Sequence, residues 1–175
     1  MACTFIVMTH LRLRPLAQAD EEAAVHGHEE LASEGFTFLL GWRGQRWQTY
    51  LNELAAMRCQ EHVPAGRVRS TFLVAEAGEL LVGRTSIRHE LNADLLHAGG
   101  HIGYAVLPAF RRRGYATEIL RQSLIIARAD GTDRVLLTCD DDNVGSATVI
   151  ERLGGALEDV RPVPGGKLKR RYWIA

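Results

Sequence analysis

This chain lacks a charge excess of either sign. Its 175 residues carry 21 Lys and Arg against 21 Asp and Glu, so the formal net charge is zero. Non-specific nucleic-acid binding runs on surplus phosphate-neutralising charge, and that class is excluded as the main task. Cysteine is scarce too. Cys3, Cys59 and Cys139 are far apart, with no C-x-x-C spacing. An odd count without a framework suits a reducing cytoplasm better than secretion. No run of apolar residues approaches the ~20 needed to cross a bilayer, so a membrane partner is not expected. The opening MACTFIVMTH has no basic n-region and no adequate apolar h-region, so it does not read as a signal peptide. Met8 is an alternative start to Met1, and residues 1–9 are expected as a disordered or strand-extending tail. There is no repeat, low-complexity tract or linker, and 46% apolar residues suffice for one core, so 1–175 reads as a single domain.

What is present alternates between two periods. Leu11-Arg12-Leu13-Arg14 predicts a strand closed by Pro15, and Asp20 reads as the N-cap of a helix over 21–34. Trp47, Leu51 and Leu54 fall at i, i+4 and i+7 of a second helix over 45–61. Strands over 71–75 and 80–88 flank Ala77-Gly78-Glu79 as a hairpin. A loop or short helix over 92–100, a strand over 101–106, a helix over 114–131, a strand over 135–139, a helix over 142–153 and two closing strands complete the chain. The predicted order is β-α-α-β-β-β-α-β-α-β-β, a mixed α/β sheet covered by helices.

The most informative stretch is His101–Leu120, HIGYAVLPAFRRRGYATEIL. An apolar strand, a Pro-marked turn, three arginines and Gly114 lead into a helix. A helix N-terminus offers unpaired N–H groups and partial positive charge, so it can hold a phosphate. Alone, Arg111-Arg112-Arg113 reads equally as a solvated loop or a nucleic-acid contact; between a strand and a helix, phosphate binding is the better reading. Asn143 reads as a helix cap. The seven histidines show no metal-ligating spacing: His26 and His28 face apart on a helix, and His97 and His101 only flank a Gly-Gly turn.

Three ordered segments carry a family resemblance. Val106–Ala116 fits V-x-P-x-x-R-x-x-G-x-A. Thr138-Cys139-Asp140 leads to Asn143-Val144-Gly145-Ser146 and Leu153-Gly154-Gly155. Arg88-His89-Glu90-Leu91-Asn92 precedes Gly99-Gly100-His101-Ile102-Gly103-Tyr104. Together they resemble the GNAT superfamily of N-acetyltransferases, and the third segment is similar to a subgroup of undefined substrate. The resemblance implies a GNAT fold: a central, mostly antiparallel mixed sheet of about seven strands with helices on both faces, and a splayed strand pair holding acetyl-CoA as cosubstrate. It implies that N–H groups from Arg111, Arg112, Arg113, Gly114, Tyr115 and Ala116 hold the pyrophosphate. Backbone at Tyr104, Val106 and Leu107 would pair with pantetheine, Asn143 and Ser146 would contact its arm, and the Val106 N–H would stabilise the oxyanion. The resemblance further implies direct transfer to a primary amine of a small molecule or protein, without a metal.

One departure stands out. Many GNATs place a tyrosine seven residues after this asparagine as the acid for the leaving thiolate, and here that residue is Ile150. Tyr104 or a water is the alternative proton source. The base is open among His101, Glu90, His89, Glu76 and Asp140. Ile150 also motivates a rival reading, an inactive CoA-binding sensor or partner-binding module. A homodimer through exposed strand edges is a further expectation.

Overall fold

The computed structural model describes residues 10–59 and 63–175. The expected tail over 1–9 and residues 60–61 of the second helix lie outside the described residues, and that helix ends at Ala56 instead of running on through Cys59. Strands β1 (Leu11–Arg14), β2 (Ser70–Ala77), β3 (Leu80–Arg88), β4 (Ile102–Val106), β5 (Val135–Asp140), β6 (Ala156–Pro162) and β7 (Leu168–Ile174) alternate with helices. These are α1 (Glu21–Ser33), α2 (Trp47–Ala56), α3 (Tyr115–Ala129) and α4 (Val144–Arg152), so the order matches the sequence expectation. Residues Leu95–Gly99 form a wide π-type turn before β4.

The seven strands divide into an antiparallel sheet in the order β1-β2-β3-β4 and another in the order β5-β7-β6. β4 and β5 are the facing members. They meet at one end only, where the His101 N–H donates to the Leu136 carbonyl at 2.7 Å. The expected central sheet is therefore split along the β4/β5 line, and the split is the cleft.

Two apolar layers hold the halves. α3 and α4 bury Leu120, Leu124, Ala147 and Ile150 against Ile87, Ile102, Leu137 and Tyr172. On the other face, α1, α2 and the segment between them bury Phe38, Leu39, Trp47 and Tyr50 against Phe72, Val74 and Leu107. Each such side chain, fully buried, contributes about 1.5–3 kcal/mol. Trp42 packs edge to face on Trp47 and on Tyr50, and Trp47 lies tilted against Tyr50, with centroids 5.3–5.6 Å apart.

Asp20 departs from expectation. It stands at the N-cap of α1, but its side chain makes no capping bond there. Its carboxylate instead takes the Arg14 guanidinium at 2.6 and 2.7 Å and the Ala17 N–H at 2.7 Å. A charged partner within reach outcompetes the neutral helix N–H groups.

Candidate active site

Ladder parity decides which backbone groups of β4 are free. The Leu107 N–H donates to the Val82 carbonyl at 2.9 Å, and the Arg88 N–H to the His101 carbonyl at 2.7 Å. In the β3/β4 register, Gly83 lies opposite Val106 and Ile87 opposite Ile102. Antiparallel pairing alternates every residue, so 103 and 105 turn their polar groups to β3. Ile102, Tyr104 and Val106 turn theirs the other way, into the cleft. The Val106 N–H thus faces an open edge, as an oxyanion donor requires. Leu107 does not fit its expected pantetheine role. Its N–H is bonded to Val82, its carbonyl accepts from Phe110 at 2.9 Å, and its side chain is buried.

Beyond Val106 the chain turns through Pro108–Phe110 into the loop before α3. Gly114 is the N-cap of α3 at φ +81°, a left-handed conformation that glycine adopts without penalty. Arg112, at φ +64°, is the one non-glycine with positive φ among the described residues. Such strain persists where the surroundings enforce it, and it clusters at ligand clamps. The first helical bond runs from the Glu118 N–H to the Gly114 carbonyl at 3.2 Å. The N–H groups of Tyr115, Ala116 and Thr117 therefore lack an i−4 partner and point out of the helix end. Arg111 behaves differently. Its N–H is bonded to the Pro108 carbonyl at 3.2 Å, and its guanidinium grips Glu34 at 2.6 and 3.2 Å. The Arg113 guanidinium lies over the Phe110 ring, 5.6 Å from the centroid.

Two hydroxyls face each other across the cleft. The Tyr104 hydroxyl lies 2.9 Å from Ser146 Oγ in the first turn of α4. Asn143 caps that helix, its Oδ1 accepting from the Ser146 N–H at 3.0 Å. Burial pushes the Tyr104 phenol up to about 12, so it stays protonated at neutral pH. Burial likewise raises the neighbouring Cys139 thiol, which keeps it from being a ready thiolate. Ile150, one turn along from Ser146, is fully buried in the α3/α4 core.

The candidate bases are engaged elsewhere. His101 is buried, and its Nδ1 accepts the Leu136 N–H at 2.8 Å. That bond fixes the neutral ring with its proton on Nε2, and burial, with help from Arg88, lowers its pKa. Together with the His101 N–H to Leu136 bond, it clasps β4 to β5 at both polar atoms. Gly100, at φ +67°, allows this approach: a β-carbon there would stand 2.7 Å from the Leu136 carbonyl oxygen. Glu90 is exposed at the bend after β3, seven residues from Gly83, which faces Val106. At roughly 3.3 Å per residue it stands ~23 Å along the strand from the Val106 N–H, and His101 ~16 Å. The structure thus brings Val106, Tyr104 and Ser146 together and sets His101 and Glu90 apart from them. His89 pairs with Asp130 and Thr71, Glu76 with Arg12 and Arg14, and Asp140 with Lys169. Among the described residues no cluster of His, Cys, Asp or Glu could hold a metal ion, and no helix is long and apolar enough to cross a membrane.

A family profile described as an acetyltransferase (GNAT) domain matches residues 10–156. Solved structures share the fold at low identity. RimL, a ribosomal L7/L12 α-N-protein acetyltransferase, is 18% identical at TM-score 0.65, over 95% of this chain and 90% of its own. RimJ of Mycobacterium smegmatis, solved with CoA-disulfide, is 19% identical at TM-score 0.68, over 94% of this chain and 81% of its own. The microcin C7 self-immunity acetyltransferase MccE, solved with acetyl-CoA and AMP, is 15% identical at TM-score 0.66, over 94% and 92%.

Proposed function

The chain belongs to the GNAT acetyltransferase family, and from that premise we propose that it moves an acetyl group from acetyl-CoA to a primary amine by direct attack in a ternary complex. The observation that carries this reading is two sets of unpartnered backbone donors, the Val106 N–H at the end of β4 and the N–H groups at the start of α3. They match a thioester at one end and a pyrophosphate at the other. MccE, which binds acetyl-CoA on the same fold, supports the choice of cosubstrate.

In this reading the N–H groups of Arg112–Thr117 hold the pyrophosphate, with the helix dipole behind them. Pantetheine runs along the free edge of β4 at Tyr104, and the Asn143 amide nitrogen donates to its arm. The amine nitrogen attacks the thioester carbon. The carbonyl oxygen gathers negative charge against the Val106 N–H, and the carbon–sulfur bond breaks. Tyr104, protonated at neutral pH like any phenol, gives its proton to the departing sulfur and regains one through Ser146. In this reading Tyr104 takes the part of the tyrosine that many GNATs carry at the position of Ile150, which here is a core residue. The proton lost by the amine passes to water. An α-amine, with pKa about 8, is neutral far more often at pH 7 than a lysine at about 10.4, and so needs less help. The reading includes a cytoplasmic location, supported by the free thiols of Cys59 and Cys139.

Calorimetric titration with acetyl-CoA and with S-acetylpantetheine, which lacks the pyrophosphate, tests the cofactor assignment. Micromolar binding of the first and at least tenfold weaker binding of the second are expected. Equal binding, or none, removes it. Thiol release against an amine panel then separates an enzyme from an inactive sensor.

A further inference from the structure

The α2-covered face of β3 carries an unusual pair of cations. Arg84 and Arg88 stand two apart from Ser86 and on the same face. Arg84 is 3% exposed, and its guanidinium donates to the carbonyls of Thr37, Phe38 and Gly103 at 2.9–3.1 Å. Arg88 reaches the Gly99 and Gly100 carbonyls only at 3.3 and 3.4 Å. The two guanidiniums converge over Gly103, where a β-carbon would stand 3.3 Å from one and 3.6 Å from the other. Neither has a carboxylate partner among the described residues, whereas Arg12, Arg14, Arg43, Arg69, Arg111 and Arg170 all do. Burial depresses the pKa of both, and repulsion from Arg88 lowers Arg84 further, to about 9; arginine guanidiniums keep their charge in proteins. Unpaired charge held out of water is costly and calls for a counter-charge.

A cavity opens beside them. It has a volume of about 250 Å³, and Arg88, Arg67, Ser70, Asn92 and Asp94 supply its polar lining. A smaller recess of about 60 Å³ shares Arg67 and Ser70 with it and extends to Ser86, opposite Gly103. Among the described residues two guanidiniums line it against the single carboxylate of Asp94, with Arg84 behind. The R-H-x-L-N segment builds this wall. His89 fastens β3 to Thr71 and Asp130, Asn92 caps the π-type turn at the Leu95 N–H and ties it to the Gly66 carbonyl, and Arg88 is left facing the space.

Resting on the acetyltransferase reading above, we infer that this cavity is the acceptor pocket and that the acceptor amine carries a carboxylate or phosphate held by Arg88 and Arg67. Arginine forks match such anions in a bidentate way. The spacing adds a constraint. Gly103, where the Arg88 guanidinium sits, is three residues from Val106, so guanidinium and Val106 N–H are roughly 10 Å apart. With ~3 Å between guanidinium and anion, ~7 Å remains, which an extended dipeptide spans at up to ~3.6 Å per residue and an α-amino acid does not.

The experiment titrates the CoA-loaded protein with glycylglycine against glycylglycinamide, and with 4-aminobutyl phosphate against 4-aminobutanol, by calorimetry. The anionic member of at least one pair is expected to bind at least tenfold tighter, and the pair that discriminates identifies carboxylate or phosphate. Arg88→Gln and the exposed Arg67→Gln should each remove most of that preference, and Arg88→Lys should restore it only in part, with acetyl-CoA affinity unchanged. Equal binding within both pairs, or a preference that survives Arg67→Gln and Arg88→Gln, overturns the inference. Failure of acetyl-CoA itself to bind is read in a separate titration, so it overturns the acetyltransferase reading without deciding the anion site.

Discussion

The two ends of β4 differ in how their polar groups are spent. At the His101 end nearly every donor and acceptor has a partner inside the chain: His101 N–H and Nδ1 with Leu136, its carbonyl with Arg88, and Ala98 with Thr138 Oγ1 at 2.6 Å. At the Val106 end the N–H of Val106 faces open space, and those of Tyr115, Ala116 and Thr117 start a helix without partners. Backbone donors are rarely left unpaired without a reason. The satisfied end is a scaffold that fixes where the sheet parts, and the unsatisfied end is where the proposed reading puts acetyl-CoA to complete the hydrogen bonding.

Substitutions at the open end should change binding and turnover more than stability, and those at the closed end the reverse. The largest effect is expected for Gly114→Val. A β-branched residue at φ +81° is strained, and its side chain would intrude where the proposed reading puts the pyrophosphate. Acetyl-CoA affinity should fall roughly 100-fold by calorimetry, equivalent to about 2.7 kcal/mol; an unchanged Kd would refute the pyrophosphate assignment. Tyr104→Phe comes next. It keeps the ring in the core and deletes the hydroxyl beside Ser146. The value of kcat for thiol release should drop by about 10²-fold with acetyl-CoA affinity nearly unchanged. A fall in affinity alone would make Tyr104 a wall, not an acid.

At the closed end, His101→Ala strands the buried Leu136 N–H. Urea unfolding should show a loss of about 2 kcal/mol, with acetyl-CoA affinity within a few-fold of the parent. A catalytic base would show the opposite split. The smallest effect is on pH dependence. The folded pKa of His101 lies below its usual 6.5 because burial disfavours the cation, and His89 shifts the same way. The unfolded chain therefore binds more protons just below pH 6.5, so this stability is fully present above about 6.5 and lost as pH falls toward the folded value. Unfolding free energies between pH 7.5 and 5 should show that decline in the parent and a shallower one in His101→Ala.

Much of this was legible beforehand. The order of all eleven main elements, the cap at Asn143 and the loop into α3 follow from period, punctuation and short motifs. What escaped depends on direction. Whether His101 faces the cleft or Leu136, and whether the Leu107 N–H is free, turns on ladder parity and on the bend at Gly100, which composition does not reveal. Ile150 shows another limit. Its identity signalled a missing acid, but its place in the core is a packing fact: its Cγ2 lies 2.4 Å from where a β-carbon on Gly155 would stand. A tyrosine there would overpack the core at a cost of about 1–3 kcal/mol instead of restoring an acid. The arginines on β3 were visible as letters, but only the fold reveals that two of them converge without a carboxylate.

Amide hydrogen exchange, resolved by residue and followed with and without saturating acetyl-CoA, tests the contrast between the two ends most directly. Exchange at Val106 and across Arg112–Thr117 should slow at least tenfold on binding, while Ile102, His101 and Leu136 change little. Unchanged exchange at Val106 and the start of α3, with protection appearing elsewhere, would contradict the account.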